Sequence, residues 1–486
     1  MPVGDHEAEV QAAVSKLFGR DVAYIAAWAA QVVLTALLTP VLTRLMLPSE
    51  YGRAMAATAV MQVQYVILGF GLYTGAQRAF SRDGEGAARQ VVTVACLLAV
   101  VGGVAFYVTG SLWAPLISPD GFSTPLRYAT IWAVLSALTS TPLGLIRARD
   151  QLRWFIVASL AQTILAQVLA VLFVLARGRS ASGYMFGEII GQTVAVLVVL
   201  CVARPRLVSR SDTGLLAATV RFSLALLPAA AAGFVIGDSD RIIVKAQLGA
   251  VAVGRYAVSA NIGGFVGLAL GALAGIWISR FFAIEDDRVL RDVVGASRDG
   301  ASQLAAGAAL AVAASAPVLL AVWCPARYHP DQLLLVTALV AVQAIPLAVG
   351  EVYSQTLLVH GRAKMVAALS VATATLNIVL NLLLIPEFGL NGSAAASLVD
   401  LICWALLCHL ALRKARPPVR PRAAVIVGCG MAISIVSTEV SPSGWMLGLR
   451  LAVAVLALGF CALRLTTLVA PGRLAGAHRH LGKLVA

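Results

Sequence analysis

Charged side chains interrupt an apolar run between Arg221 and Phe282, and they are the first residues in this chain whose chemistry needs an explanation. An ionised side chain at bilayer depth costs on the order of a few kcal/mol, so it usually faces a protein interior, a partner or a water-filled cavity. Asp238 and Arg241 are three residues apart on one helix face, and Lys245 extends that face by a turn. The spacing predicts an ion pair or the wall of a polar cavity. The alternative is that these charges only anchor a helix end at the membrane surface.

Three further carboxylates, Glu188, Glu351 and Asp400, also lie inside apolar runs. An ionisable residue within a membrane span is by default a hypothesis for a functional site, so these three are candidates for binding a proton or cation. The alternative is that basic partners hold them or that they lie close enough to the surface to reach water. Asn377 and Asn381 are four residues apart and share a helix face. That face is either a packing seam between helices or the surface of a lumen.

Sites for enzymatic chemistry are not indicated. The six histidines are scattered, and no arrangement of Ser, His and Asp, of paired carboxylates or of metal ligands can be assembled from the spacing. The seven cysteines form no C-x-x-C pair, and no Gly-rich loop ends in Lys-Ser or Lys-Thr. We therefore expect a chain that is not an enzyme and that holds no cofactor, metal ion or nucleotide.

The composition indicates whether the chain folds in water or in a membrane. Of its 486 residues, 60% are hydrophobic and only 12% are charged, and the mean hydropathy is +0.88. Such values exclude an ordinary soluble globular protein. The net charge of +14 resides mainly in short loops between apolar runs. Membrane topology explains that excess, so no nucleic-acid partner is expected.

Apolar runs bounded by charged residues, Gly and Pro predict about fourteen transmembrane helices in an all-α polytopic membrane protein. The predicted helices lie near residues 22–43, 54–75, 90–110, 126–146, 154–175, 183–203, 221–243, 253–278, 301–323, 332–358, 364–385, 391–411, 423–440 and 445–468. Most basic residues fall in alternate loops, which predicts that both termini are cytoplasmic. We interpret the first run as an uncleaved span and not a secretory signal.

An internal repeat relates the second six helices to the first six, at an offset of about 200 to 213 residues. Because the repeated unit has an even number of spans, both halves share one orientation. The repeat predicts an N-terminal lobe at 1–210, a C-terminal lobe at 211–412 and a basic linker with two extra helices at 413–486. Glu188 and Asp400 occupy nearly matching places in the two lobes, which suggests a pseudo-symmetric polar site.

Three motifs in the chain resemble those of a known transporter family. They span Arg44 to Gly52, Asp240 to Val258 and Leu376 to Gly392. Their order and spacing resemble polysaccharide flippases of the O-antigen type, within the multidrug/oligosaccharidyl-lipid/polysaccharide (MOP) exporter superfamily. The resemblance implies translocation of undecaprenyl-pyrophosphate-linked oligosaccharide across the membrane by alternating access, with or without a coupling ion. It also implies a hydrated, cationic central cavity.

A pyrophosphate needs cationic donors, and Arg supplies a planar bidentate fork. Arg241 is the first candidate and Arg44, near the matching place in the first repeat, is the second. Arg78 and Arg280 are candidates for receiving the headgroup at the cytoplasmic mouth. For each of these four arginines the alternative is anchoring at the membrane surface.

Two other functions remain open. A cation-coupled multidrug exporter of the same superfamily would use the carboxylates of the spans. A transport-inactive scaffold would recruit glycan assembly enzymes through the basic loops. The expected location is the cytoplasmic membrane of a bacterium, with membrane lipid, a lipid-linked glycan and a polysaccharide polymerase or glycosyltransferase as partners.

Overall fold

The computed structural model describes residues 38–207, 213–282, 287–417, 420–440 and 444–469. These residues form helices and no strand, as the prediction of an all-α protein requires. Residues 38–45 are helical and are labelled α1. The longer helices that follow are α2 (Pro48–Gly69), α3 (Leu72–Val108), α4 (Gly110–Ile117), α5 (Thr124–Ala148), α6 (Leu152–Leu160), α7 (Ala166–Ala176), α8 (Ala181–Ala203), α9 (Thr213–Phe282), α10 (Asp287–Trp323), α11 (Leu334–Val359), α12 (Ala363–Leu412), α13 (Pro421–Val436) and α14 (Gly444–Val469).

Ten helical segments within the described residues are long and apolar enough to cross a membrane. The prediction of a polytopic membrane protein is therefore confirmed. Most of the first predicted span, 22–43, lies outside the described residues, and the layout of fourteen spans stays a prediction.

Two glycines turn long helices back without a loop. Gly249 in α9 has φ 82° and ψ 176°, and Gly389 in α12 has φ 58° and ψ −135°. An L side chain is strained at such positive φ values, whereas glycine adopts them readily. Each glycine lies between two predicted spans, so the break in each helix falls where the sequence predicts a boundary between spans.

The segment between the predicted helices 54–75 and 90–110 is helical, so the expectation that a loop joins them was wrong. Helix α3 begins at Leu72 and is interrupted only at Gly84, where φ is 86°. The reason is amphipathic spacing, because Leu72, Ala76 and Ala79 recur at helical intervals and are buried. Charge density marked the segment as a loop, although its apolar face packs as a helix.

Contacts divide the chain into two compact units, Met1–Phe234 (unit 1) and Val235–Ala486 (unit 2). In unit 1, α5 packs against α2, α3 and α8, and α7 packs against α8. In unit 2, α11 packs against α10 and α12, and α13 and α14 both pack against α10. The predicted lobes and the separate C-terminal segment remain predictions.

Polar contacts at the helix ends of unit 1 follow the predicted alternation of loops. At one end Glu50 accepts a hydrogen bond from the backbone N–H of Ala181 at 2.8 Å, and Arg53 lies 3.9 Å from Asp120. At the other end Arg149 pairs with Glu85 at 2.9 Å. Successive helices therefore run in opposite directions, as membrane spans joined by short loops must.

Arg450 is a buried arginine of α14 that docks on α10. Its guanidinium donates to the carbonyl oxygens of Ala313 at 3.0 Å and Ala314 at 3.2 Å, and also to that of Val440 at 2.9 Å. Pro317 has no N–H, so the carbonyl of Ala313 loses its partner within the helix. Arg450 therefore satisfies a backbone acceptor that Pro317 leaves open.

Candidate functional site

The charged motif of α9 lies just before its turn at Gly249. Arg241 Nη1 donates to Asp238 Oδ1 at 2.5 Å, and these side chains are 15% and 21% exposed. Lys245 is buried one turn further on. Of the two structures that the spacing allowed, the local ion pair is present.

Asp240 is a second buried charge of this motif, and its spacing did not distinguish it from its neighbours. Its side chain is buried, Oδ2 accepts a hydrogen bond from the Tyr256 hydroxyl at 2.5 Å, and Oδ1 accepts from the backbone N–H of Arg241 at 2.7 Å. The turn at Gly249 folds the second half of α9 back on the first, which brings Tyr256 to Asp240. In the sequence, the feature that could have predicted this contact is Tyr256, a tyrosine that follows soon after Gly249.

Asn377 and Asn381 of α12 form a packed polar seam. The Asn381 amide donates to the Asn377 side chain at 3.1 Å and accepts from Ser393 at 2.8 Å. Asn377 also accepts from the Ser239 hydroxyl and donates to that of Ser397, both at 3.4 Å. Both asparagines are fully buried. The predicted shared face therefore joins both halves of α12 to the charged motif of α9.

Asp400 lies one turn beyond Ser397 on the same helix and is fully buried. Within the described part of the chain, neither of its carboxylate oxygens meets a hydrogen-bond donor at bonding geometry. The Asn377 amide and the Asp240 carboxylate are near enough to act on it electrostatically. A buried carboxylate in these surroundings is strongly disfavoured as a bare anion, so it favours a bound proton or cation.

These side chains form one group in unit 2, which we call the polar network. Its members are Ser239, Asp240, Tyr256, Asn377, Asn381, Ser393, Ser397 and Asp400. The group offers carboxylate, amide and hydroxyl oxygens, which suit a proton or a hard cation. Among the described residues no set of three or more His, Cys, Asp or Glu is placed to hold a metal ion.

Comparison with known proteins assigns the chain to a family. A family described as "Polysaccharide biosynthesis protein" matches residues 41–330, which is more than half of the chain. The chain belongs to this family. No curated protein matches it in sequence.

Solved structures show the fold that this polysaccharide biosynthesis protein adopts. The lipid II flippase MurJ in an inward closed conformation has a TM-score of 0.66 at 10% identity, covering 91% of this chain and 99% of MurJ. An inward-facing multidrug resistance MATE family transporter of the MOP superfamily has a TM-score of 0.63 at 14% identity, covering 80% and 95%. The Vibrio cholerae MATE transporter VcmN in its bent form has 0.54 at 15% identity, covering 87% and 98%. The chain therefore belongs to a polysaccharide biosynthesis family and has the fold of these membrane transporters, in agreement with the fold that the motifs predicted.

Only part of the polar network lies within the residues that the family matches. Asp240 and Tyr256 lie within residues 41–330, whereas Asn377, Asn381 and Asp400 lie beyond its end. The contacts of the α12 residues are therefore the evidence for their part in the network, and the family match gives none for it.

Unit 1 holds Glu188, the other buried carboxylate that the repeat singled out. Glu188 is 1% exposed, and its Oε1 meets no donor among the described residues. One turn earlier on α8, the Tyr184 hydroxyl accepts a hydrogen bond from Gln167 at 3.2 Å. Its surroundings are thus also buried and polar, and they too contain an aromatic hydroxyl and an amide, here from α8 and α7.

The other predicted site residues are not members of the polar network as defined above. Arg44 is exposed and donates to the carbonyl of Pro40 at 3.1 Å, and Arg78 is half-buried on α3. For Arg280 the structure describes the helical backbone of α9 and not the side chain. Glu351 accepts a hydrogen bond from Ser354 of its own helix at 3.0 Å. A common cavity for Arg44, Arg78, Arg280 and Arg241 stays a prediction.

Sequence reasoning missed a second buried charge cluster in unit 2. Arg298 of α10 pairs with the adjacent Asp299 at 2.5 Å and donates to the Tyr353 hydroxyl at 3.2 Å. Arg420, just before α13, lies 3.8 Å from Asp299. The cluster joins the start of α13 to α10 and α11. Arg298 and Asp299 stand just before the predicted helix at 301–323, so the predicted spans place them in a loop.

Proposed function

We propose that this transporter moves an undecaprenyl-pyrophosphate-linked oligosaccharide from the cytoplasmic to the outer leaflet of a bacterial cytoplasmic membrane. The observation that carries the proposal is the match to a polysaccharide biosynthesis family over residues 41–330, on a fold shared with a lipid flippase. A chain of such a family, with ten helical segments among its described residues that can cross a membrane, suits the handling of a membrane-bound intermediate.

Arg241 is the residue proposed to contact the pyrophosphate. Its pairing with Asp238 holds the guanidinium in place, and its side chain is 15% exposed. Arginine binds phosphate oxygens through two parallel hydrogen bonds, whereas lysine acts as a point charge. The function of Arg241 therefore depends on the shape of its side chain as well as on its charge.

The polar network is proposed to couple transport to a cation, either a proton or sodium. Asp240 and Asp400 are both buried, and Asp400 receives no hydrogen bond from the described residues. Binding of a cation there would remove one uncompensated negative charge. The network connects the helix halves on both sides of the turns at Gly249 and Gly389, so its charge state can bias how those halves pack.

The test of the proposed substrate is a deletion strain complemented with variants at matched membrane abundance. Deletion should cause a lipid-linked saccharide to accumulate on the cytoplasmic face, and the wild-type chain should remove it. Arg241→Ala should fail, and Arg241→Lys should be slower than the wild type by about tenfold, since a lost charge-assisted hydrogen bond contributes about 1.5 kcal/mol.

Arg255→Lys is the matched control. Arg255 divides its donors between the carbonyl of Tyr328 and the side chain of Gln332, at 3.0 and 2.7 Å, and thus has a role in anchoring the loop. It should complement fully. If both Arg241 variants complement as well as the wild type, Arg241 is only an anchor. If deletion causes no saccharide to accumulate, the proposed substrate is wrong.

A cation-coupled multidrug exporter is the second candidate. The buried carboxylates Glu188, Asp240 and Asp400 favour it, because an acidic interior suits a cationic substrate. The same deletion strain separates the two functions. Drug export predicts sensitivity to cationic dyes without accumulation of a lipid-linked saccharide, and Asp400→Asn should reproduce that sensitivity.

A further inference from the structure

A cavity of about 930 Å³ opens at one end of unit 1, and none of its lining residues is a member of the polar network. Arg89 of α3, Arg149 after α5 and Arg204 after α8 line its polar side together with Glu85. None of these residues belongs to the proposed transport site, which lies in unit 2.

Backbone geometry explains why two of these arginines are held in fixed positions. The last carbonyls of a helix have no partner within it. At the end of α8, Arg149 donates to Val202 O at 3.0 Å and to Ala203 O at 3.2 Å, and Arg89 Nε donates to Arg204 O at 2.5 Å. The guanidinium groups therefore cap α8 and are preorganised at the cavity wall.

The backbone carbonyls that these arginines cap do not neutralise their positive charges. Glu85 pairs with Arg149 but is 57% exposed, and it is the one acid among the lining residues. Burial lowers the pKa of Arg149, and the charges of Arg89 and Arg204 lower it further, against the opposing effect of Glu85. In the part of the chain that the structure describes, the Arg204 guanidinium and the terminal nitrogens of Arg89 meet no acceptor. The cavity wall thus presents hydrogen-bond donors to which an anion could bind, and neighbouring positive charges that an anion would neutralise.

Apolar side chains complete the lining of the cavity. Trp154, Leu197 and Cys201 line it, with Trp154 40% and Leu197 59% exposed. Leu197 lies on a membrane-spanning helix, where an exposed side chain contacts acyl chains. A tryptophan at a helix end is typical of the membrane–water interface. Donors for an anion and a surface for hydrocarbon therefore meet in one cavity.

We propose that this cavity binds the phosphate headgroup of an anionic membrane phospholipid, with its acyl chains along α8. Basic pockets between transmembrane helices bind such headgroups. The phosphate would bind between Arg89 and Arg204, and the apolar wall selects a lipid over free phosphate, which would use only the polar half. The site is independent of what the transporter carries.

The test uses the purified full-length chain in a neutral detergent, titrated with phosphatidylglycerol, phosphatidylcholine or inorganic phosphate and followed by native mass spectrometry. Arg204→Gln removes a side chain that forms no hydrogen bond to the described residues, so the fold should persist. It should weaken phosphatidylglycerol binding about fivefold, since one basic residue near a lipid surface contributes about that factor.

Arg179→Gln is the control with the same change of charge. Arg179 is exposed beyond the opposite end of α8, and its substitution should leave the affinity unchanged. Equal affinities of the wild type and Arg204→Gln would overturn the proposal, and so would an equal loss in Arg179→Gln. Inorganic phosphate that binds as tightly as phosphatidylglycerol, or phosphatidylcholine that binds equally well, would exclude an anionic lipid as the ligand.

Discussion

Replacing Arg450 with Met tests whether this arginine holds α14 on α10. Hydrogen bonds from a charged donor contribute about 1.5–3 kcal/mol each. Arg450 makes three of them to backbone carbonyls, but burial of its charge costs several kcal/mol. We therefore expect Arg450→Met to lower the free energy of unfolding by about 2–4 kcal/mol, because the carbonyls are left unsatisfied.

A second substitution tests the proposed reason. Pro317→Ala restores an N–H that can bond to the Ala313 carbonyl within α10, so Arg450 has one acceptor fewer to satisfy. The loss caused by Arg450→Met should then be about 1 kcal/mol smaller, within the range of double-mutant cycles for membrane-protein hydrogen bonds. The assay is unfolding of the full-length chain in mixed micelles with increasing denaturing detergent.

Two results would refute this reasoning. If the cost of Arg450→Met is the same with Pro or Ala at position 317, within about 0.3 kcal/mol, the open carbonyl is not what Arg450 compensates. If Arg422→Met, an exposed arginine of α13, destabilises the chain equally, the effect is one of general charge.

Three further predictions concern the described network and the topology. Tyr256→Phe leaves the buried Asp240 carboxylate without its hydroxyl donor and should lower stability by about 1–3 kcal/mol in the same unfolding assay, and an unchanged midpoint would contradict the observed bond. Gly249→Ala forces an L side chain to a φ of 82° and should cost about 1–2 kcal/mol, whereas a stabilised variant would show that the turn is not as described. A cysteine at Asp120 should be labelled from outside the cell and one at Arg420 only after permeabilisation, and the reverse pattern would invert the predicted orientation.

Sequence patterns predicted the membrane helices well because hydropathy depends on local composition. Gly249 and Gly389 lie between predicted spans, and the ion pair of Asp238 with Arg241 follows from a three-residue spacing on one helix. Only the part of α3 between residues 75 and 90 was predicted as a loop, because its charged residues are typical of one, although its apolar residues recur at helical intervals.

The sequence by itself determined that the chain is an all-helical membrane protein and which faces of its helices are polar. Only the tertiary structure decided which polar groups meet. Asp240 has its partner because α9 turns back at Gly249, Ser239 meets Asn377 from a helix far along the chain, and Arg450 finds carbonyls on another helix. Helical periodicity shows which side of a helix is polar, whereas the identity of the partner depends on how helices pack against one another, and no local pattern encodes that.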